Sequence, residues 1–247
     1  VYSMPETAEK VAERYEVSRE DQDLFASRSQ SKALKAQAAG AFDNEIIPVL
    51  VQQKKNDVQI SVSRDEHPRT PTVEQLSGLP AIVTSNGSVT AGNSSGINDG
   101  AAALLIASRA GVKANNLQPI ARILGMSTIG VEPSIMGIGP IPATEKLLKR
   151  LGLTMGDFDL IEINEAFAAQ ALAVTRGLNL EDDDPRVNPN GGAIALGHPL
   201  GMSGARLVGT AAHSLRRTKG RLALCTMCVG VGQGIAIVIE NVRGENS

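Results

Sequence analysis

The 247-residue chain has no tryptophan and only two tyrosines and four phenylalanines. Aromatic side chains cannot fill a core at that abundance, so Ala, Val, Ile and Leu must do so. Only two cysteines are present, Cys225 and Cys228, too few for the disulfide framework of a small secreted domain. No apolar run reaches membrane-spanning length, so no membrane partner is expected. The formal charge of −2 argues against a general electrostatic grip on nucleic acid or an anionic bilayer. The opening Val1-Tyr2-Ser3-Met4 carries neither a signal-peptide pattern nor an initiator methionine at position 1. The natural amino terminus, with any targeting segment, is therefore expected to lie outside the chain.

Glycine is frequent (25 residues), which points to tight turns and close backbone approaches. The length suits one large domain or two modest ones. Residues 5–39 read as helical, with Pro5 in a first turn and a break at 17–21 where Ser18 is an N-cap. Residues 45–51 and 58–62 read as strands joined by a charged turn at 54–57. Residues 63–100 read as irregular, and 101–107 is apolar but too short to assign by period. Further on, the pattern predicts a strand at 119–124 and a helix at 143–151. It then predicts a strand at 159–163, a helix at 166–176, a glycine-rich loop at 191–204 and a helix at 205–217. Two apolar strands, 222–228 and 235–242, close the chain. Alternating strands and helices indicate an α/β layered fold, and the terminal strand pair adds antiparallel character.

Three segments could carry chemistry. Cys225-Thr226-Met227-Cys228-Val229-Gly230-Val231-Gly232 places a thiol at a strand tip, followed by glycines that free backbone N–H groups. A zinc site would need more ligands, so no metal is expected; two buried thiols are the plain structural reading. Asn190-Gly191-Gly192 through Gly204-Ala205-Arg206 lacks P-loop or dinucleotide-fold spacing. It holds His198 between Gly197 and Pro199, either as a proton shuttle or as a backbone-bonded loop histidine. Asn164-Glu165-Ala166-Phe167 lies at a strand-to-helix junction. There Asn164 is read either as a helix N-cap or as a donor aimed into an active site.

Together these segments resemble the thiolase family. Asn164–Phe167 matches its Asn-Glu-Ala-Phe motif, the run through His198 its Gly-His-Pro motif, and Cys228 with Gly230 and Gly232 its Cys-x-Gly-x-Gly motif. Gly92–Gly100 is similar to its loop near coenzyme A, and the resemblance spans residues 4–242. It implies a thiolase-like layered fold with a mixed sheet. Residues 1–88 would form the coenzyme A-covering loop domain, 89–116 the closing segment of an amino-terminal domain, and 117–247 a complete carboxyl-terminal domain. It implies that His198 activates a nucleophilic cysteine and lines an oxyanion pocket. Cys228 would move the proton at carbon, Asn164 would hold an oxyanion-hole water, and the Gly230 N–H would serve a second hole. Ser95 and Gly96 match positions contacting the pantetheine arm, and Arg69 is a candidate for the nucleotide phosphates, or else a solvated surface charge.

The resemblance places the nucleophilic cysteine in an amino-terminal half that neither Cys225 nor Cys228 matches. The chain is expected to be truncated, split or part of something longer, and inactive alone. Coenzyme A and acetyl-CoA would be substrates, with no permanently bound cofactor. The starting segment Ser3–Ala8, Asp65–Arg69 and Cys225–Cys228 resemble 3-oxoadipyl-CoA thiolases; a general 3-ketoacyl-CoA thiolase is the near alternative. A non-catalytic acyl-CoA-binding protein and one subunit of a split enzyme are the competing classes. A homodimer or homotetramer in the cytoplasm is expected, with an organelle left open.

Overall fold

The computed structural model describes residues 2–53 and 58–242; the turn expected at 54–57 lies outside them. Helix α1 (Met4–Arg14) starts on a reciprocal cap. Ser3 Oγ accepts from the Glu6 N–H, and the Glu6 carboxylate accepts from the Ser3 N–H at 2.6 Å, satisfying two donors that a helix start leaves open. Ser18 caps α2 (Arg19–Ala38) as expected, accepting from Asp21 N at 3.1 Å. Strands β1 (Val49–Gln52) and β2 (Gln59–Val62) form an antiparallel hairpin. The first begins later than the apolar pattern suggests, because Glu45 N and Ile46 N both bond to Phe42 O in a turn. The stretch read as irregular contains α3 (Val73–Ser77), built on a Thr72–Gln75 capping box. A short α4 (Arg109–Ala114) follows the apolar run, with Ser108 as its cap.

The second half carries the main sheet. Strand β3 (Ala121–Gly130) is longer than expected and has a register shift between Ile123 and Gly125. A 3-10 turn at Pro133–Ile138 leads into α5 (Pro140–Leu151), which Gly152 closes in the left-handed conformation. Then come β4 (Leu160–Ile163), α6 (Ala168–Gly177), α7 (Ala193–Leu196), α8 (Ser203–Thr218), β5 (Leu222–Val229) and β6 (Gln233–Asn241). The sheet order is β3-β6-β5-β4, with β4 parallel to β5 and the other pairs antiparallel. The expected mixed α/β sheet is therefore present.

Strand alternation sends neighbouring residues of β5 into different cores. Leu222 and Leu224 join Leu147 of α5 and Val174 of α6. Ala223 and Cys225 face Leu207, Ala211 and Leu215 of α8. Both faces of the sheet are thus covered by helices. A third cluster ties Val11 of α1 and Phe25 of α2 to Ala168 and Leu172 of α6, holding the helices of the first half against the element that follows Asn164.

Two local expectations are corrected. Asn164 is no helix cap: α6 begins at Ala168 with Phe167 in the cap position, and Asn164 and Glu165 lie buried before it. Their side chains are committed to distant partners instead. The stretch from Gly191 to Gly204 is no continuous loop, since it contains α7, and α8 starts at Ser203 rather than 205.

Candidate functional site

Asn164 extends the β4–β5 ladder by one step, its N–H donating to Thr226 O at 3.0 Å. This puts its amide at the carboxyl edge of parallel strands, where α/β folds build sites. Its Nδ2 lies 3.3 Å from His198 Nε2. Its Oδ1 is buried and has no hydrogen-bond partner among the described residues, leaving an acceptor for a small polar guest.

His198 is held from several sides. Gly197 has φ of +96°, and a Cβ there would strike the Asn98 amide. The His198 N–H donates to Gly96 O at 2.9 Å and lies 3.3 Å from Asn98 Oδ1. The ring Nδ1 meets Ser203 Oγ at 2.5 Å. An amide nitrogen only donates, so Nε2 must present its lone pair to Asn164 and Nδ1 must carry the hydrogen toward Ser203. Burial, and secondly the positive charge of Arg206, hold the imidazole below its usual pKa. The ring is thus a neutral base whose Nε2 lone pair, shared with the Asn164 amide, faces the site. Arg206 is itself anchored to the fully buried Glu162 on β4, at 3.2 Å, and burial pushes that carboxyl up to about 7.

Ser203→Ala is expected to leave the Nδ1–H without its acceptor and destabilise the chain by about 1–3 kcal/mol. Nitrogen-15 shifts of the ring would show the Nδ1–H tautomer in the wild type and a mixture in the variant. A wild-type ring protonated at Nε2 would contradict this assignment.

Cys225 and Cys228 are both free and buried, but they belong to different clusters. Cys225 faces α8, whereas Cys228 packs with Met136, Ala166 and Phe167. Residues three apart on a strand point to opposite faces, so the two thiols do not face each other. Burial pushes the Cys228 thiol up to about 12, so at neutral pH it carries its proton. Gly230 begins the β5–β6 turn, and its carbonyl accepts from Gln233 Nε2 at 3.1 Å. The next residue, Val231, sits at φ +68°, an uncommon conformation for a β-branched side chain.

The Asn164–Phe167 segment is also the meeting point for Ser94 and Ser95. Ser95 N donates to Ala166 O at 3.0 Å, Ala168 N donates to Asn93 O at 2.8 Å, and Ser94 bridges Phe167. Gly96 reaches the site through its carbonyl on His198. Arg69 is not brought to this centre: it is exposed, with its backbone N–H fixed by Gln30 Oε1 at 2.8 Å. Beneath the site, the fully buried Glu165 accepts from Ser29 Oγ (2.6 Å), Asn188 Nδ2 (2.8 Å) and Ile194 N (3.2 Å). Burial raises its pKa and these bonds oppose the shift. Gly192 is required here, because a Cβ would run into that carboxylate.

The sequence did not single out Ser203, Asn98 or the Glu165 network. Only Ser203 left a local signal, as a hydroxyl five residues beyond His198 at a helix start. Among the described residues, no cluster of three or more His, Cys, Asp or Glu side chains is placed to hold a metal, and no helix is long and apolar enough to cross a membrane.

Comparisons with known proteins show what the chain as a whole is similar to. The family model described as "Thiolase, C-terminal domain" matches residues 117–241, and "Thiolase, N-terminal domain" matches residues 1–110. The chain is 61% identical over 241 residues to the 3-oxoadipyl-CoA/3-oxo-5,6-dehydrosuberyl-CoA thiolase of Escherichia coli (strain K12), covering 97% of this chain and 60% of that protein. It is 51% identical over 236 residues to the mitochondrial 3-ketoacyl-CoA thiolase of Bos taurus, covering 95% and 58%. The crystal structure of the Bacillus anthracis acetyl-CoA acetyltransferase superposes with a TM-score of 0.92 at 47% identity, over 97% of this chain and 60% of that one. Human mitochondrial 3-ketoacyl-CoA thiolase in complex with CoA superposes at 0.91 with 48% identity, over 97% and 59%. The chain thus spans about 60% of the length of the relatives it matches.

Proposed function

Since this chain belongs to the thiolase family, we propose that it supplies the proton-transfer and coenzyme A-binding groups for cleavage of a 3-oxoacyl-CoA, with 3-oxoadipyl-CoA the favoured substrate. The reading is carried by the convergence of Asn164 and His198 at 3.3 Å beside the segment that also packs Cys228 and bonds Ser95. The substrate preference rests on the name of the Escherichia coli relative. The bovine relative keeps a general 3-ketoacyl-CoA substrate as the second reading.

In the cleavage direction, His198 Nε2 takes the proton of a nucleophilic thiol, whose sulfur attacks the 3-keto carbon. The C2–C3 bond breaks and its electron pair passes to the thioester as an enolate. A water on Asn164 and the now protonated His198 hold that oxyanion, and the Gly230 N–H serves the second oxyanion. The Cys228 thiol gives its proton to C2, releasing acetyl-CoA. An incoming coenzyme A thiol then returns a proton to Cys228, and its sulfur takes the acyl group as the nucleophilic sulfur leaves and recovers its proton from His198 Nε2. A buried thiol that is protonated at neutral pH suits the acid role of Cys228 and makes it a poor nucleophile.

The nucleophile itself is proposed to come from the thiolase segment that neither cysteine here matches. The run from Ile97 to Ile106 fits a face which that segment would cover, since Ile97 and Leu105 are 87% and 79% exposed. The loop region 1–88 would cover coenzyme A, and 117–247 would form the second thiolase domain after the closing segment 89–116. Ser95 and Gly96 would contact the pantetheine arm and Arg69 the nucleotide phosphates. Coenzyme A is a substrate in this reading and is not permanently held. Assembly as a homodimer or homotetramer and a cytoplasmic location complete the proposal.

Intact-mass spectrometry with acetyl-CoA tests it. The chain alone is expected to show no acetyl adduct. Adding the amino-terminal part of the Escherichia coli relative is expected to give one adduct, on a cysteine of that part. A stable acetyl group on Cys228 would overturn the assignment.

A further inference from the structure

His67 lies outside the groups assigned so far, yet its ring touches both segments that present His198. Its Nδ1 lies 2.9 Å from the carbonyl of Ala195, in α7 three residues before His198. A carbonyl only accepts, so this nitrogen carries the hydrogen. The other edge of the ring lies against Gly96: a Cβ there would collide with His67 Nε2 and sit 2.8 Å from Asn98 Oδ1. Gly96 is the residue whose carbonyl accepts from the His198 N–H.

A second bridge runs in parallel. Gln30, buried on α2, accepts from the Arg69 N–H at 2.8 Å and donates through Nε2 to Ile194 O at 3.2 Å. The segment 67–69 is therefore tied at two points to the single turn of α7, and α7 passes directly through Gly197 into His198. Arg69 is the exposed cation of that segment.

We propose that His67 is a positioning residue that latches the segment bearing Arg69 to the turn presenting His198, so that occupation of the nucleotide end of the coenzyme A site is felt at the imidazole. This rests on the coenzyme A reading above and goes beyond it. Energy from binding a remote, unreacting part of a substrate helps catalysis only if it reaches the reacting groups, and a chain of fixed contacts is a physical route for it.

The probe is adenosine 3′,5′-bisphosphate, which carries nucleotide phosphates but no pantetheine arm and so cannot touch His198 directly. The chain has three histidines, and their ring carbon–proton signals can be assigned by single substitutions. Saturating the wild type is expected to shift the His198 signal. His67→Ala is expected to bind the probe with similar affinity and lose that shift. His67→Asn keeps an N–H near the position of Nδ1 and is expected to restore it. His67→Phe keeps a ring on Gly96 without the donor and is expected to lose the shift, which provides the test if the alanine variant does not fold. Binding without any His198 response in the wild type, or an undiminished response in the alanine or phenylalanine variant, overturns the latch. Failure of the probe to bind at all overturns the coenzyme A reading, and the latch with it.

Discussion

Replacing His198 by alanine is expected to lower thiolytic cleavage by about 10²–10⁴-fold, the usual contribution of a positioned acid–base group. The assay combines this chain with the amino-terminal part of the Escherichia coli relative and follows acetyl-CoA release from 3-oxoadipyl-CoA. The size of the loss follows from the two roles that fall on one ring. Nε2 first accepts the nucleophile's proton and then, protonated, donates to the enolate oxygen. Asn164→Ala is expected to fall less, because it removes the water's anchor but leaves the base in place. The pH profile gives an independent check. Burial and the charge of Arg206 lower the His198 pKa, so the ring stays neutral below the ordinary histidine value of about 6.5. The acid limb of kcat/KM is therefore expected below that value, with activity lost as pH falls through the shifted pKa. An acid limb above it, or a His198→Ala variant within tenfold of wild type, would show that another group is the base.

The sequence carried the layout of the second half well because strand and helix periods there are clean. The run Leu222–Cys228 reads as a strand because it is uninterrupted and apolar, and it is buried on both faces in the structure. The same run concealed the assignment of its two thiols. Their opposite facing follows from strand geometry, but which face meets the site depends on what α8 and the Asn164 segment place there. The junction at Asn164-Glu165 misled for a related reason. Asn and acidic residues before a helix fit a cap locally, and only the fold reveals that Asn164 faces His198 and Glu165 faces Ser29. Those partners lie 34 and 136 residues away, beyond any local pattern. Asn188 to Glu165 is a contact of the same kind, 23 residues apart. The short helices α3 and α4 were missed because one or two turns give too few residues for a period; Thr72 and Ser108 cap them in the structure.

Glu165→Ala is expected to destabilise the chain by about 3–5 kcal/mol, since it strips the acceptor from several buried donors at once. Ser29 Oγ, Asn188 Nδ2 and Ile194 N all point at the two carboxylate oxygens, and the Ser29 hydroxyl in turn accepts from Gly192 N at 3.1 Å. The space left by the side chain adds a cavity term, because Gly192 lies directly against the carboxylate and has no side chain to fill it. The network ties α2 to the turn that begins α7, so the loss reaches beyond stability. Without it, the Gly192–Gly197 segment is no longer fixed, and the His198 ring signal is expected to broaden even in the folded variant. Glu165→Gln keeps an acceptor but turns an amide N–H₂ toward existing donors, so a smaller loss of about 1–2 kcal/mol is expected. Urea unfolding followed by circular dichroism measures both. An alanine variant within about 1 kcal/mol of wild type, well under the sum for several unpaired buried groups, would mean that water replaces the carboxylate. In that case the network would not be what holds the histidine turn in place.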